Sequence, residues 1–379
     1  MRIAALADLH LTSSKDDTNE TLDEQVERLR WIANDAEAHE IELIVVAGDT
    51  FHARSNADER NAAIHVYQGF AKIAPVVVVR GNHDQSGDLE FLGQLRSDNT
   101  IEIAERPRVI DIGGKGLVLA MPYPAKNFLA ADAAREGVDP RSMTERATQA
   151  LRALFLHWAA TNVVDSFVPV ALVGHLELGS AELDSGQPAT GRCFIETSLA
   201  DLAELGADVN ILGHIHKRQQ LDDRTFYVGS PRQTTFGEDS TKGYCLVDVN
   251  KGELPCIEHR KAPGPQLVTV HAEMVDGVLV IPPTTGADIM RLVYDVPDSQ
   301  RQDAARQAAE WSATMRKTGA RSVKLDARTI TTTRARSHDL HEAKTNTDRL
   351  RAYWAARDMT PDRACNIAAK LAEIEEVQS

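Results

Sequence analysis

Apolar and polar positions alternate along the first half of the chain with two different periods. Short unbroken apolar runs, "RIAALA", "IELIVVA" and "VVVV", read as strands covered on both faces. Between them, "TLDEQVERLRWIANDAEAH" and "ADERNAAIHVYQGFAKIA" carry apolar residues at the three-to-four spacing of a one-sided helix. This order predicts βαβαβ, hence a parallel sheet with helices against its faces. Further on, "RVIDIGGKGLVLAMPYP" predicts a hairpin turning at Gly113 and Gly114, and a long helix is expected near 141–162. "FVPVALVGH" and "DVNILGHIH" read as two more buried strands, and "TFYVGS" and "GYCLVDV" as strands of a second sheet layer.

The pattern is interrupted at "KAPGPQ", Lys261 to Gln266, where two prolines flank a glycine. A domain covering 1–260 is expected before it and a small α/β domain over 265–336 after it. In the latter, "LVTVHAE", "GVLVI", "DIMRLVYDV" and "RSVKLDA" read as strands and "DAARQAAEWSATMRKTG" as a helix ending at Gly319. Residues 337–379 read as a helical tail. Its second helix opens with Thr360 as cap and Pro361 at the first helical position, and places Ala364, Ile367, Ala368, Leu371, Ile374 and Val377 on one stripe.

Five of the strands end in polar signatures: Asp8-Leu9-His10, Gly48-Asp49-Thr50-Phe51-His52, Gly81-Asn82-His83-Asp84, Gly174-His175, and Gly213-His214-Ile215-His216. In open α/β sheets the carboxyl ends of strands are where loops converge and ligands bind, so distant residues can share one site. A lone Asp-x-His is more often a cap beside a surface histidine, but five such endings in succession point to one metal centre. Imidazole, carboxylate and amide oxygen without thiolate suit manganese, iron or zinc rather than calcium. Asp8, His10, Asp49, Asn82, His175, His214 and His216 exceed the four ligands of a single tetrahedral ion and fit two ions sharing a carboxylate. Two ions ~3.5–4 Å apart stabilise the attacking and leaving oxygens of a displacement at phosphorus. The other histidines, His39, His65, His157, His259, His271, His338 and His341, lack this placement and are assigned structural or surface roles.

Composition changes the picture in three places. A net charge of −14 weighs against a general polyanion-binding surface, although clustered ligand carboxylates contribute to it. Residues 301–363 run the other way, with fourteen Lys and Arg against eight Asp and Glu. Cys193, Cys245, Cys256 and Cys365 are scattered without a paired motif, which speaks against a disulfide framework or a thiolate zinc site. The start is apolar only until Asp8, and no run reaches the length of a bilayer span, so a soluble, unexported, cytoplasmic protein with no membrane partner is expected.

The five signatures resemble those of the calcineurin-like metallophosphoesterases over about residues 1–250. Within that superfamily "GDTFH", "GNHD", "GHLELG", "LGHIH", "YVGSPRQTTFGE" and "KGYCLVDV" are similar to the SbcD-type DNA repair nucleases. Two positions differ from the usual pattern: Leu9 stands where Trp is common, and Gln85-Ser86 where Ser-Pro is common. The resemblance implies an α/β fold of two packed β-sheets flanked by helices, with a small α/β cap domain and a helical C-terminal tail. It also implies two manganese ions, one on Asp8, His10, Asp49 and His216 and the other on Asp49, Asn82, His175 and His214. His83 would be the general acid, Asp84 would orient it, and His52 would position the phosphate.

The function expected from this resemblance is a 3′ to 5′ exonuclease and endonuclease acting on DNA. The cap would hold DNA through residues such as Arg316, Lys317, Arg321 and Lys324, and the tail would dock on an SbcC-type, SMC-like ATPase, the alternative being that its helices fold back on the cap. The segment "SGDLEFLGQL" offers a surface for a homodimer. Two rivals are weighed: a phosphatase or small-molecule phosphodiesterase on the same fold, and an inactive DNA-tethering scaffold. Against the first, "GDTFHAR" departs from the Gly-Asp-x-x-Asp-Arg-Gly of protein phosphatases; against the second, a ligand residue stands in every motif.

Overall fold

A computed structural model of the chain describes residues 1–124, 140–163, 166–183, 195, 197–238, 241–284 and 288–330. The tail expected over 337–379 lies outside the described residues. In chain order the first elements are β1 (Arg2–Leu6), α1 (Leu22–Glu37), β2 (Leu43–Ala47), α2 (Ala57–Ile73), β3 (Val76–Val79), β4 (Ile101–Ala104), β5 (Arg108–Asp111) and β6 (Leu117–Met121). There follow α3 (Pro140–Trp158), β7 (Val170–His175), α4 (Leu199–Leu205), β8 (Val209–Gly213), β9 (Gln219–Gln220), β10 (Thr225–Tyr227), β11 (Gly243–Asp248) and β12 (Cys256–Lys261). Last come β13 (Leu267–Val275), β14 (Val278–Val280), β15 (Ile289–Pro297), α5 (Arg301–Lys317) and β16 (Ser322–Ile330).

One sheet has the strand order β12-β11-β1-β2-β3-β4 and a second the order β5-β6-β7-β8-β10-β9. Within the first, β1, β2, β3 and β4 are parallel, as the βαβαβ reading requires. The inner strands β1, β2 and β3 are buried on both faces because each face meets a different layer. Ala4, Leu6, Ile44, Val46, Val76 and Val78 pack with α1 and α2. The alternate residues Ile3, Ala5, Leu43, Val45, Val77 and Val79 face Val118, Ala120, Ala171, Val173, Val209 and Ile211 of the second sheet. The outer face of that sheet, with Leu119, Val170, Leu172 and Leu212, is covered by Ala147, Leu151, Phe155 and Trp158 of α3 and by Leu202 and Leu205 of α4. Each fully buried valine contributes about 1.5–3 kcal/mol by removal from water, an upper bound given a compact unfolded chain.

Local sequence explains where the helices begin. Thr21 caps α1, accepting from the Glu24 N–H at 3.3 Å while Glu24 accepts from the Thr21 N–H at 2.8 Å. Asn56 and Glu59 repeat this box at α2. Both helices also hold the loop that follows β1. The buried Gln25 exchanges two hydrogen bonds with the Thr12 backbone, at 3.1 and 3.0 Å, and Glu59 accepts from the Ser13 N–H at 2.7 Å. Asp35 of α1 accepts from Tyr244 of β11 at 2.7 Å and from both sides of the Arg260 guanidinium at 3.0 and 2.9 Å.

The hairpin turns where expected, with β5 antiparallel to β6 and both Gly113 and Gly114 at positive φ. One expectation is half corrected. β10 lies in the second sheet, but β11 is antiparallel to β1 in the first. Edge strands β4 and β12 are absent from the sequence reading. Within "SGDLEFLGQL", Leu89 and Leu92 are fully buried in the core with α2, and Phe91 and Leu95 are partly buried against it.

The chain divides into two compact units. Among the described residues, the first comprises Met1–Thr269 with 288–291 and Thr318–Val323; the second comprises Val270–Thr284, Leu292–Lys317 and 324–330. A third sheet has the order β14-β13-β15-β16. In the second unit, α5 buries Ala304, Ala308 and Ser312, four residues apart on one face. Arg316, Lys317 and Lys324 are exposed. Arg321, expected as a phosphate contact, instead grips Glu24 with two hydrogen bonds of 2.7 Å, which draws the Glu24 carboxyl down to about 2.

Candidate metal centre

The signatures at the ends of β1, β2, β3, β7 and β8 meet at one end of the two packed sheets. Asp8, His10 and His216 present ligand atoms within 4.8 Å of one another, and so do Asp8, Asp49 and His175. Asn82 Oδ1 joins the rest, 2.8 Å from His175 Nε2 and 2.9 Å from His214 Nδ1. All seven predicted ligands therefore form one connected cluster. Asp8, His10, Asp49 and His175 are buried, whereas Asn82, His214 and His216 are half-buried and mark the open side.

The backbone is strained to make this cluster. Asp8, His10, Asp49 and His214 have φ of 53°, 46°, 53° and 97°, a region that side chains other than glycine rarely adopt. Glycines allow the close approach that follows. A Cβ on Gly48 would lie 2.1 Å from His175 Nδ1, and one on Gly81 would lie 2.0 Å from Asp49 Oδ1. Gly48 and Gly81 thus make room for a candidate ligand carried by another strand.

The donor set asks for cations. Among the described residues, Asp8 and Asp49 have imidazoles rather than Lys or Arg as ion-pair partners: His175 for both, and His10 for Asp49. Burial raises the Asp8 carboxyl above its usual range, partly offset by His175 and His216. Burial acts on Asp49 in the same sense, yet His175 and His10 outweigh it and hold Asp49 well below. His175 is pushed up to about 9 by Asp49 and Asp8, against its own burial. His10 Nε2 faces His216 Nε2 at 2.9 Å, with lone pairs directed at each other unless a proton or an ion lies between. Two buried carboxylates with converging imidazole nitrogens match the ligands of divalent ions.

The three predicted catalytic residues flank the cluster. His83 is half-buried and His52 exposed, their rings stacked at 5.6 Å, with His83 4.9 Å from the His10 ring. Burial and the neighbouring His83 lower the His52 imidazole below its ordinary value. The role expected of Asp84 needs correction. Its carboxylate accepts from the backbone N–H groups of Thr50 at 3.3 Å, Phe51 at 3.0 Å and Gly81 at 2.9 Å. The His83 ring is held instead by the His52 carbonyl, 2.6 Å from Nδ1. Asp84 therefore splints the loops after β2 and β3 to each other. Burial and nearby Asp49 push its carboxyl up to about 6.

Other residues around the site went unassigned in the sequence. Glu177 Oε2 lies 3.3 Å from His214 Nε2, and Glu238 Oε1 lies 3.4 Å from His216 Nδ1. Both stand within quoted motifs, "GHLELG" and "YVGSPRQTTFGE"; Glu177, two residues after His175, had a nearby histidine as a signal, whereas Glu238, 22 residues from His216, had none. The Tyr123 ring sits 5.6 Å from that of His214, and nothing in its local pattern marks it. Arg232, buried, donates to the His10 carbonyl at 3.2 Å and to Asp16 at 2.6 Å, so it holds the backbone of a ligand residue.

Comparison with known proteins agrees with this geometry. The calcineurin-like phosphoesterase family matches residues 1–218. Protein 244L of Invertebrate iridescent virus 6, which bears the name of a phosphoesterase, is 26% identical over 64% of this chain and 78% of its own. The SbcD subunit of nuclease SbcCD from Bacillus subtilis is 27% identical over 67% of each chain, and that of Escherichia coli K12 is 26% identical over 71% of this chain and 70% of its own. A dimetal phosphatase from Danio rerio aligns with 68% of this chain and 98% of its own, at 12% identity and a TM-score of 0.39. No helix among the described residues is long and apolar enough to cross a membrane. With the family pattern spanning more than half of its length and the ligand cluster within that span, this chain belongs to the calcineurin-like phosphoesterase family.

Proposed function

We propose that this phosphoesterase is a DNA nuclease, with 3′ to 5′ exonuclease and endonuclease action, that works with an SbcC-type ATPase in DNA end processing. The observation that carries the reading is the seven-residue cluster of Asp, His and Asn side chains with the His83 ring, held by the His52 carbonyl, beside it, in a chain similar to the SbcD subunits of two SbcCD nucleases. When bound, two divalent ions, manganese in this reading, supply Lewis acidity at phosphorus and a nucleophile at neutral pH. Asp8, His10, Asp49 and His216 hold one, and Asp49, Asn82, His175 and His214 hold the other.

The remaining chemistry belongs to side chains. His83 donates its Nδ1–H to the His52 carbonyl, which fixes the ring; in the imidazolium form its Nε2–H is the proton delivered to the departing sugar oxygen. His52, whose imidazole burial and His83 lower below its ordinary value, positions a phosphate oxygen beside it. Residues 265–336 act as a cap that contacts DNA backbone through Arg316, Lys317 and Lys324, and 337–379 dock on the ATPase.

The test is hydrolysis by the purified protein of end-labelled single- and double-stranded DNA with manganese, magnesium or EDTA, beside p-nitrophenyl phosphate and its bis-ester. The reading predicts manganese-dependent cleavage of DNA and of the diester. Monoester hydrolysis without DNA cleavage would replace it with the phosphatase reading. Two bound ions with no hydrolysis of any substrate would replace it with the DNA-tethering scaffold.

A further inference from the structure

A neutral imidazole carries one proton, so the nitrogen that donates outward decides which nitrogen offers its lone pair inward. Three of the four ligand histidines have an acceptor on the outward nitrogen. For His175 it is the Ala47 carbonyl, 2.8 Å from Nδ1, which leaves Nε2 facing Asn82. For the other two it is a carboxylate, and the rings are used in opposite senses. Glu177 meets His214 at Nε2, 3.3 Å away, so Nδ1 turns to the Asn82 side. Glu238 meets His216 at Nδ1, 3.4 Å away, so Nε2 turns to His10.

Neither carboxylate is a chance surface neighbour. Glu177 is 1% exposed. The Glu238 side chain is 7% exposed and pinned on both oxygens, by Lys242 Nζ at 2.9 Å, the Thr234 N–H at 3.3 Å and the Thr234 hydroxyl. A buried carboxylate that accepts from a ligand imidazole fixes its tautomer and raises its basicity toward a metal.

We propose that Glu177 and Glu238 are positioning residues for metal binding, each acting through one histidine and each serving a different ion. Glu177 acts through His214 on the ion of Asp49, Asn82, His175 and His214; Glu238 acts through His216 on the ion of Asp8, His10, Asp49 and His216. The assignment rests on the two-ion reading of the site and is independent of which phosphoester is cleaved.

The experiment is a calorimetric titration of the metal-free full-length protein with Mn2+, repeated for Glu177→Gln, Glu238→Gln, His214→Ala and the Glu177→Gln/His214→Ala pair. Glutamine keeps the size of the side chain but removes its charge and accepts or donates equally, so it no longer selects a tautomer. Each single glutamine variant is expected to lose roughly 10–100-fold in affinity for one ion and to leave the other unchanged. The melting temperature of the metal-free protein is expected to stay the same in Glu177→Gln, whereas Glu238→Gln also loses the Lys242 ion pair and is judged by which ion it weakens; Glu177→Gln is expected to add nothing once His214 is alanine. Unchanged affinities in the glutamine variants would overturn the assignment alone. So would equal weakening of both ions with a lowered melting temperature, which is the mark of a merely structural role. Fewer than two Mn2+ bound by the unaltered protein would overturn both the assignment and the two-ion reading.

Discussion

Four non-glycine residues at positive φ within one ligand cluster, Asp8, His10, Asp49 and His214, show where the fold gives up backbone comfort for ligand geometry. Single substitutions there separate the roles. His83→Ala is expected to slow diester cleavage about a hundredfold or more, the scale of losing a placed proton donor, with both ions still bound. Metal content measured beside turnover checks it, and loss of an ion would move His83 among the ligands. Gly81→Ala is expected to act in the opposite way. Its new Cβ would collide with Asp49 Oδ1, so ion binding falls first and activity with it, as titration with Mn2+ would show. The membership of the cluster was legible because each residue stands just after an apolar strand. The partner of His83 was not, since a backbone carbonyl leaves no mark on residue type, and Asp84 was credited with a contact that His52 makes.

At the scale of elements, α1 is fastened to β11 and β12 chiefly through Asp35, whose carboxyl the Arg260 guanidinium draws below its usual range. A carboxyl with a folded value below its unfolded one adds stability above the unfolded value, 3.8, and loses it as pH falls through the folded one. Asp35→Asn is therefore expected to cost about 1–3 kcal/mol at neutral pH, with the gap from the unaltered protein closing on acidification below about pH 4. Urea midpoints at pH 7 and pH 3 measure it, and an equal gap at both would show that the pair does not act through charge. The inner strands of the two sheets were legible from unbroken apolar runs, because both faces are covered. Sheet membership was not: "GYCLVDV" and "TFYVGS" look alike in pattern, and only pairing with β1 puts the former in the first sheet. Edge strand β12, with mixed burial, lacks the signal altogether.

On the scale of the whole molecule, a chain with a net charge of −14 is proposed to bind a polyanion, so its positive charge has to act locally. If 337–379 serve only to dock on the ATPase, a chain ending at Arg336 is expected to keep its ions and its manganese-dependent cleavage of single strands while losing co-purification with that partner. A truncated chain that loses ion binding would assign the tail to the fold instead. What the account stands on, however, is the two-ion centre. It is tested most directly by the rate of DNA cleavage measured against the number of Mn2+ ions bound per molecule, as metal is returned to EDTA-treated protein. The prediction is negligible cleavage up to one ion and full cleavage at two; a rate that is complete at one ion, or that survives EDTA, would contradict it.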